Sequence, residues 1–106
     1  MTFVLTPLAE ADLAEIADYV TDEASADRAE AVVLELMAAA GRLADMPRMG
    51  HSRADLTDEP VLFWPVFSYL IVYRPEVQPI QIVRIVHGAR GPGTIAEALR
   101  EPRSSD

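Results

Sequence analysis

The sequence predicts an α+β fold of element order β-α-α-β-β-β, in which a helical hairpin packs on a small antiparallel sheet. Three observations carry that prediction. Residues 61–90 (VLFWPVFSYLIVYRPEVQPIQIVRIVHGAR) contain three runs rich in Val, Ile, Phe, Tyr or Trp, separated by residues suited to turns. Two stretches between residues 7 and 44 repeat apolar side chains at helical spacing. A short apolar run, FVL between Thr2 and Thr6, precedes both.

Residues 2–6 form the first predicted strand, and Thr6 is placed to cap the helix that follows. Pro7 suits the first helical position, because its missing N–H would have had no intrahelical partner and its φ is already helical. Leu13, Ile16, Ala17 and Val20 recur on one side of this helix, and Glu10, Asp12, Glu15, Asp18 and Asp22 are assigned to its outer surface. After a break at residues 21–25, a second helix is expected over 26–44, with Ala29, Val32, Val33, Leu36, Met37, Ala40 and Leu43 as its apolar stripe. Pro47 and Gly50 end the helical region, and residues 46–60 read as a loop. Strands follow at 61–66, 68–74 and 80–87, joined by two hairpins. Pro65 cannot donate a ladder hydrogen bond, which points to an edge position, a bulge or an early strand end. Residues 94–100 are expected to add one or two helical turns capped by Thr94.

Neither parity of these strands is polar. In 80–87 one face carries Ile80, Ile82, Arg84 and Val86, and the other carries Gln81, Val83, Ile85 and His87. In the middle strand Tyr69, Ile71 and Tyr73 alternate with Leu70 and Val72. Such a sheet requires cover on both sides, and one helical hairpin covers one. The expectation is therefore an open apolar face that receives a protein partner, in preference to closure by residues 46–60 and the C-terminal turn.

The 106 residues fit a single domain, 1–106, with 50% hydrophobic and 25% charged side chains. The apolar runs are too short to cross a bilayer, and no basic stretch followed by an apolar one opens the chain, so the cytoplasm is the expected location. The absence of cysteine removes disulfides, thiolate metal sites and a cysteine nucleophile. His51 and His87 lie far apart without an HExxH pattern, and no phosphate-cradling GxxxxGK[ST] loop is present, so neither metal nor other cofactor is expected. The net charge of −8 falls entirely within residues 1–47, whereas residues 48–106 balance, and every basic residue is arginine. A polyanion is repelled on average by such a chain, so direct nucleic-acid binding is not expected. The one basic cluster is Arg84, His87 and Arg90 at the end of the last strand, beside Tyr73 and Arg74. Arg84, set between Ile82 and Val86, is either a paired charge or a receptor for a phosphate or carboxylate.

FVLTPLAEADLAEIADYV at residues 3–20, AAAGRLADMPRMGHSRADL at 38–56 and YLIVYRPEVQPIQIVRIVHGAR at 69–90 together resemble the ParE branch of the RelE/ParE toxins of bacterial type II toxin–antitoxin systems. RIVHGAR at 84–90 is the most specific part. The family commonly has an acidic residue directly after that segment, where this chain has Gly91. The resemblance implies the element order already read from the residues. It also implies a cognate antitoxin whose extended C-terminal segment wraps and neutralises the toxin in a hetero-oligomer. Leu13, Ile16, Val20, Leu62, Trp64, Tyr69, Tyr73, Ile82 and Arg84 are the expected antitoxin contacts. DNA gyrase is the implied target, with Arg84, His87, Arg90 and Arg100 as contacts and no catalytic residue.

The RelE-like branch instead cleaves mRNA on the ribosome. In that alternative Arg53, Arg84, His87 and Arg90 would form a reduced nuclease site, with arginines stabilising a pentacovalent phosphate. The acidic balance, the absence of lysine and the lack of a tyrosine or histidine after Arg90 favour gyrase binding. An inactive partner-binding domain of the same fold is the third alternative.

Overall fold

The computed structural model of the chain describes residues 2–88, 95–97 and 99. Strand β1 (Phe3–Leu5) leads into helices α1 (Pro7–Glu23) and α2 (Ala26–Asp45). A 3-10 turn at Pro47–Met49 follows, then strands β2 (Leu62–Val66), β3 (Tyr69–Arg74) and β4 (Ile80–His87). The α+β class and the element order are those predicted. Thr94 and Arg100 of the expected C-terminal turn lie outside the described residues, while 95–97 and 99 are helical.

Local chemistry sets the helix starts. The Thr6 hydroxyl accepts from the Ala9 N–H at 3.2 Å, and the Ser25 hydroxyl accepts from the Arg28 N–H at 3.0 Å, so each helix has one of its orphan donors satisfied. Thr6 does more than cap. Its N–H donates to the Ile82 carbonyl at 3.0 Å and its hydroxyl to the Val83 carbonyl at 2.9 Å, so the residue that begins α1 also fastens it to β4.

The strand order is β1-β4-β3-β2. The segment β2-β3-β4 is the predicted antiparallel meander, but β1 joins β4 in parallel, with Phe3 opposite Ile80 and Leu5 opposite Ile82. The sheet is therefore mixed rather than antiparallel. A parallel neighbour needs a long crossover, and here the helical hairpin and two strands supply it. Val72 lies opposite Arg84 and Tyr73 opposite Ile82, which leaves Val83 as an extra residue in β4, a bulge close to where β1 ends.

The outer edge of β2 is partly occupied. Phe63 exchanges both backbone hydrogen bonds with His51, at 2.9 and 2.7 Å, on the side away from β3. Alternate residues direct their backbone groups to the same side, so Pro65 also faces outward, where its missing N–H removes nothing from the ladder. Of the three roles open to Pro65, the edge position is the one found.

One face of the sheet meets the helices. Tyr69, Ile71, Tyr73, Ile80, Ile82 and Ile85 merge there with Ile16, Val32, Leu36, Ala40 and Leu43 in the main core. The other face, formed by Phe63, Val72 and Val86, was expected to stand open, and the structure corrects this. Leu56 from the 46–60 loop, Val61, and Ile95 from the C-terminal segment pack on it, with Leu99 at the margin. A sheet of four short strands presents so few side chains on this face that one loop leucine and one short segment suffice. Leu56 is only 2% exposed and is held by its N–H donating to the Arg53 carbonyl at 2.9 Å.

Candidate functional site

Two opposite charges sit within apolar rows. Asp12 lies three residues after Ala9 and four before Ile16, so it shares their side of α1 and is 8% exposed rather than on the outer surface as assigned from sequence. Arg84 reaches it from the bulged part of β4. The pair is bidentate, with Arg84 Nε 2.8 Å from Asp12 Oδ2 and Nη2 3.1 Å from Oδ1, and the Ile85 N–H donates to the same Oδ2 at 2.9 Å. β1 stops at Leu5, opposite Ile82, so the edge of β4 beyond that point has no strand beside it. Asp12 takes the place of the missing strand for Ile85. Of the two uses read for Arg84, the paired charge is the one present.

Removing one partner of a buried pair typically costs roughly 3–5 kcal/mol. A cleft of about 670 Å³ on the outer face of the sheet reaches Arg84, bordered by Thr6 and Leu8 on one side and Thr57, Glu59 and Arg74 on the other. Arg74 and Glu59 approach to 3.9 Å, so the cleft offers both signs of charge.

The other cations are similarly engaged. Arg53 grips Asp55 through two bonds, Nε to Oδ1 at 2.9 Å and Nη2 to Oδ2 at 2.8 Å. The hydrogen bond from Arg53 holds the Asp55 carboxyl below the usual carboxylate range, and in return Arg53 is raised. Arg48 pairs with Glu76, and Arg42 with Glu35 at 3.3 Å. Among the described residues, five of six arginines thus have a carboxylate of the same chain within ion-pair distance, leaving Arg28 outside the pattern. His87 sits edge-on to Tyr69 with ring centroids 5.2 Å apart, and His51 stacks on Trp64 at 6.1 Å. Neither Arg53 nor His87 lines the cleft that reaches Arg84. Arg90 and Arg100 lie outside the described residues.

The expected antitoxin contacts divide by depth. Tyr73 and Ile82 are 0% exposed, so the structure corrects their assignment: closed inside the main core, they have no surface for a partner. Ile16 and Tyr69 are buried with them, whereas Leu13, Val20, Leu62 and Trp64 remain half-buried around the rim. Tyr73 has a structural task that sequence reasoning missed. Its hydroxyl accepts from the Gly50 N–H at 2.9 Å and donates to the Pro47 carbonyl at 2.7 Å, pinning the start of the 46–60 loop to the sheet. Burial pushes this hydroxyl above the usual tyrosine range, and it does the same to Tyr69, with Tyr19 adding to the second shift. Among the described residues no cluster of His, Cys, Asp or Glu could hold a metal, and no helix is long and apolar enough to cross a membrane.

Comparison with known proteins agrees with this architecture. The profile of the ParE toxin of type II toxin-antitoxin system, parDE, matches residues 3–92. No curated protein matches significantly. Among solved structures, a chain of the chromosomal ParDE TA system from P. aeruginosa superposes with a TM-score of 0.69 at 22% identity, over 82% of this chain and 95% of that one. At that identity the superposition establishes the fold. The match across residues 3–92 establishes the family: this chain belongs to the ParE toxins of type II toxin–antitoxin systems.

Proposed function

We propose that the chain acts by binding rather than by catalysis: it engages DNA gyrase in the bacterial cytoplasm, blocks it, and is neutralised when its cognate antitoxin binds it directly in a hetero-oligomer. The observation that carries this over mRNA cleavage is the pairing of Arg53 with Asp55 and of Arg84 with buried Asp12. A phosphoryl-transfer site needs cations preorganised toward the charge that develops on phosphate. Here both guanidinium forks are preorganised toward carboxylates of their own chain. A net charge of −8 also opposes the approach of RNA.

The antitoxin is assigned to the half-buried rim of the main core, Leu13, Val20, Leu62 and Trp64, where an extended segment can cover apolar surface. The apolar centre of the outer sheet face is not needed for it, because Leu56, Val61 and Ile95 cover that part. Target contact is assigned to His87 at the end of β4, together with Arg90 and Arg100, which lie outside the described residues.

Expression of the chain with and without its antitoxin, scored for growth, plasmid supercoiling and transcript integrity, tests the proposal. Growth arrest with loss of supercoiling and intact mRNA is expected, and antitoxin should relieve it. Cleaved transcripts with gyrase fully active would sink the binding reading in favour of the nuclease. A well-folded chain without any effect on growth would instead favour an inactive partner-binding domain.

A further inference from the structure

The packing of the described residues does not account for Phe67. It is the first of the two residues, Phe67 and Ser68, that turn β2 into β3, and its φ is 55°. No other described residue, glycine included, has a positive φ. The first central position of a two-residue hairpin turn with positive φ is where glycine is favoured, because a side chain there crowds the backbone. A bulky aromatic is disfavoured at that position unless something compensates. Among the described residues nothing does so. Phe67 is 65% exposed and joins neither core. The turn is nevertheless firmly held, since the Gly88 N–H donates to the Ser68 carbonyl at 2.6 Å and a side chain at Gly88 would press on Leu70 and Ser68 at 3.2 Å. The same contact places Phe67 at the end of the sheet where β4 delivers His87, opposite Tyr69.

We infer that Phe67 is a preformed anchor that inserts into an apolar pocket on the toxin's folded protein target. The inference rests on the toxin reading above and names the residue on which its target contact turns. A large side chain on a rigid turn surrenders little freedom on binding, and buried aromatics dominate interface energetics. A folded protein offers a ready-made pocket for such a knob. An extended antitoxin segment does not, because it supplies side chains to grooves on its partner. A lipid surface is the poorer occupant: residues 61–72 around the turn contain no basic residue, and one aromatic side chain on a chain of net charge −8 binds an anionic bilayer weakly. The same net charge makes two copies repel each other.

The test compares wild type with Phe67→Gly, Phe67→Asp and Phe67→Trp at matched cellular levels, reading growth arrest, inhibition of purified gyrase, melting temperature and affinity for the antitoxin. Phe67→Gly should melt no lower than wild type and hold antitoxin within about twofold, yet need at least about tenfold more toxin for arrest. Phe67→Asp should match that loss, and Phe67→Trp should retain activity. Equal potency of Phe67→Gly and wild type would overturn the anchor, as would a parallel loss of antitoxin affinity. Wild type that arrests growth but leaves gyrase active removes gyrase alone, and growth arrest still decides the role of Phe67. Wild type without any effect sinks the toxin reading and the anchor together.

Discussion

The two faces of the sheet are sealed by different kinds of cover. One lies under helices of 17 and 20 residues, whose stripes interlock with three strands in a continuous core. The other is closed by Leu56 on an irregular loop and Ile95 on a short segment, over Phe63, Val72 and Val86. Helical cover brings its own backbone hydrogen bonds with it, whereas the loop depends on single anchoring bonds such as the one from Tyr73 to Pro47. The helical face should therefore set global stability, and the loop face should open locally first.

The strongest test of that contrast is the brace between α1 and β4. Asp12→Ala removes the carboxylate that Arg84 and the Ile85 N–H share and should cost about 3–5 kcal/mol in urea or thermal unfolding. A loss below about 1 kcal/mol would mean that the helix docks without the brace. Asp12→Asn, which can still accept from Ile85, should lose less.

Matched leucine deletions sharpen the comparison further. Leu36→Ala in the helical core should cost about 3–5 kcal/mol, and Leu56→Ala about 2–3 kcal/mol, because a loop can settle partly into the space. Hydrogen exchange at Val72 and Val86 should rise in Leu56→Ala well before amides of α2 respond. Equal protection at both places would erase the distinction between the faces.

Smaller effects belong to the loop anchor. Tyr73→Phe strands the Gly50 N–H and the Pro47 carbonyl, and should cost about 1–3 kcal/mol. Gly50→Ala acts on the same contact from the other side, since its Cβ would stand 2.6 Å from the Tyr73 hydroxyl and 2.9 Å from the Phe63 carbonyl, and about 1–3 kcal/mol of overpacking is expected.

The smallest effect is in pH. Tyr69 and Tyr73 are raised above the ordinary value of 10.0 in the folded chain, so the unfolded chain ionises first as pH climbs. Their contribution is complete below pH 10 and is lost from there up to the folded values. Tyr73→Phe should flatten that alkaline decline, and an unchanged slope would remove Tyr73 from it.

Most of the fold was legible because its signals are local. Thr6 and Pro7 mark the start of α1 by capping chemistry, and the β-branched and aromatic runs mark the meander. The parallel pairing of β1 was not legible, since it is decided by where a long crossover returns and not by any residue of FVL. What covers the outer face was also hidden: apolar alternation on both parities states that both faces are buried, without saying by what. Leu56, a lone large apolar side chain between Asp55 and Thr57, was the available clue. For the candidate site, Asp12 and Arg84 each interrupt an apolar row in elements far apart in sequence, and two opposite charges so placed are a reason to expect that they meet. Their bidentate geometry needed the bulge at Val83, which no local pattern announces.

Pro65 and His51 carry a consequence for the chain's behaviour at high concentration. A free strand edge invites copies to stack edge to edge into insoluble assemblies. β2 is the longer of the two edge strands, with Phe63 already bonded to His51 and Pro65 unable to donate, while β1 spans only Phe3–Leu5. A chain built this way offers little free ladder for edge-to-edge pairing. Pro65→Thr would restore a donor to that edge and should show itself first as turbidity in concentrated samples.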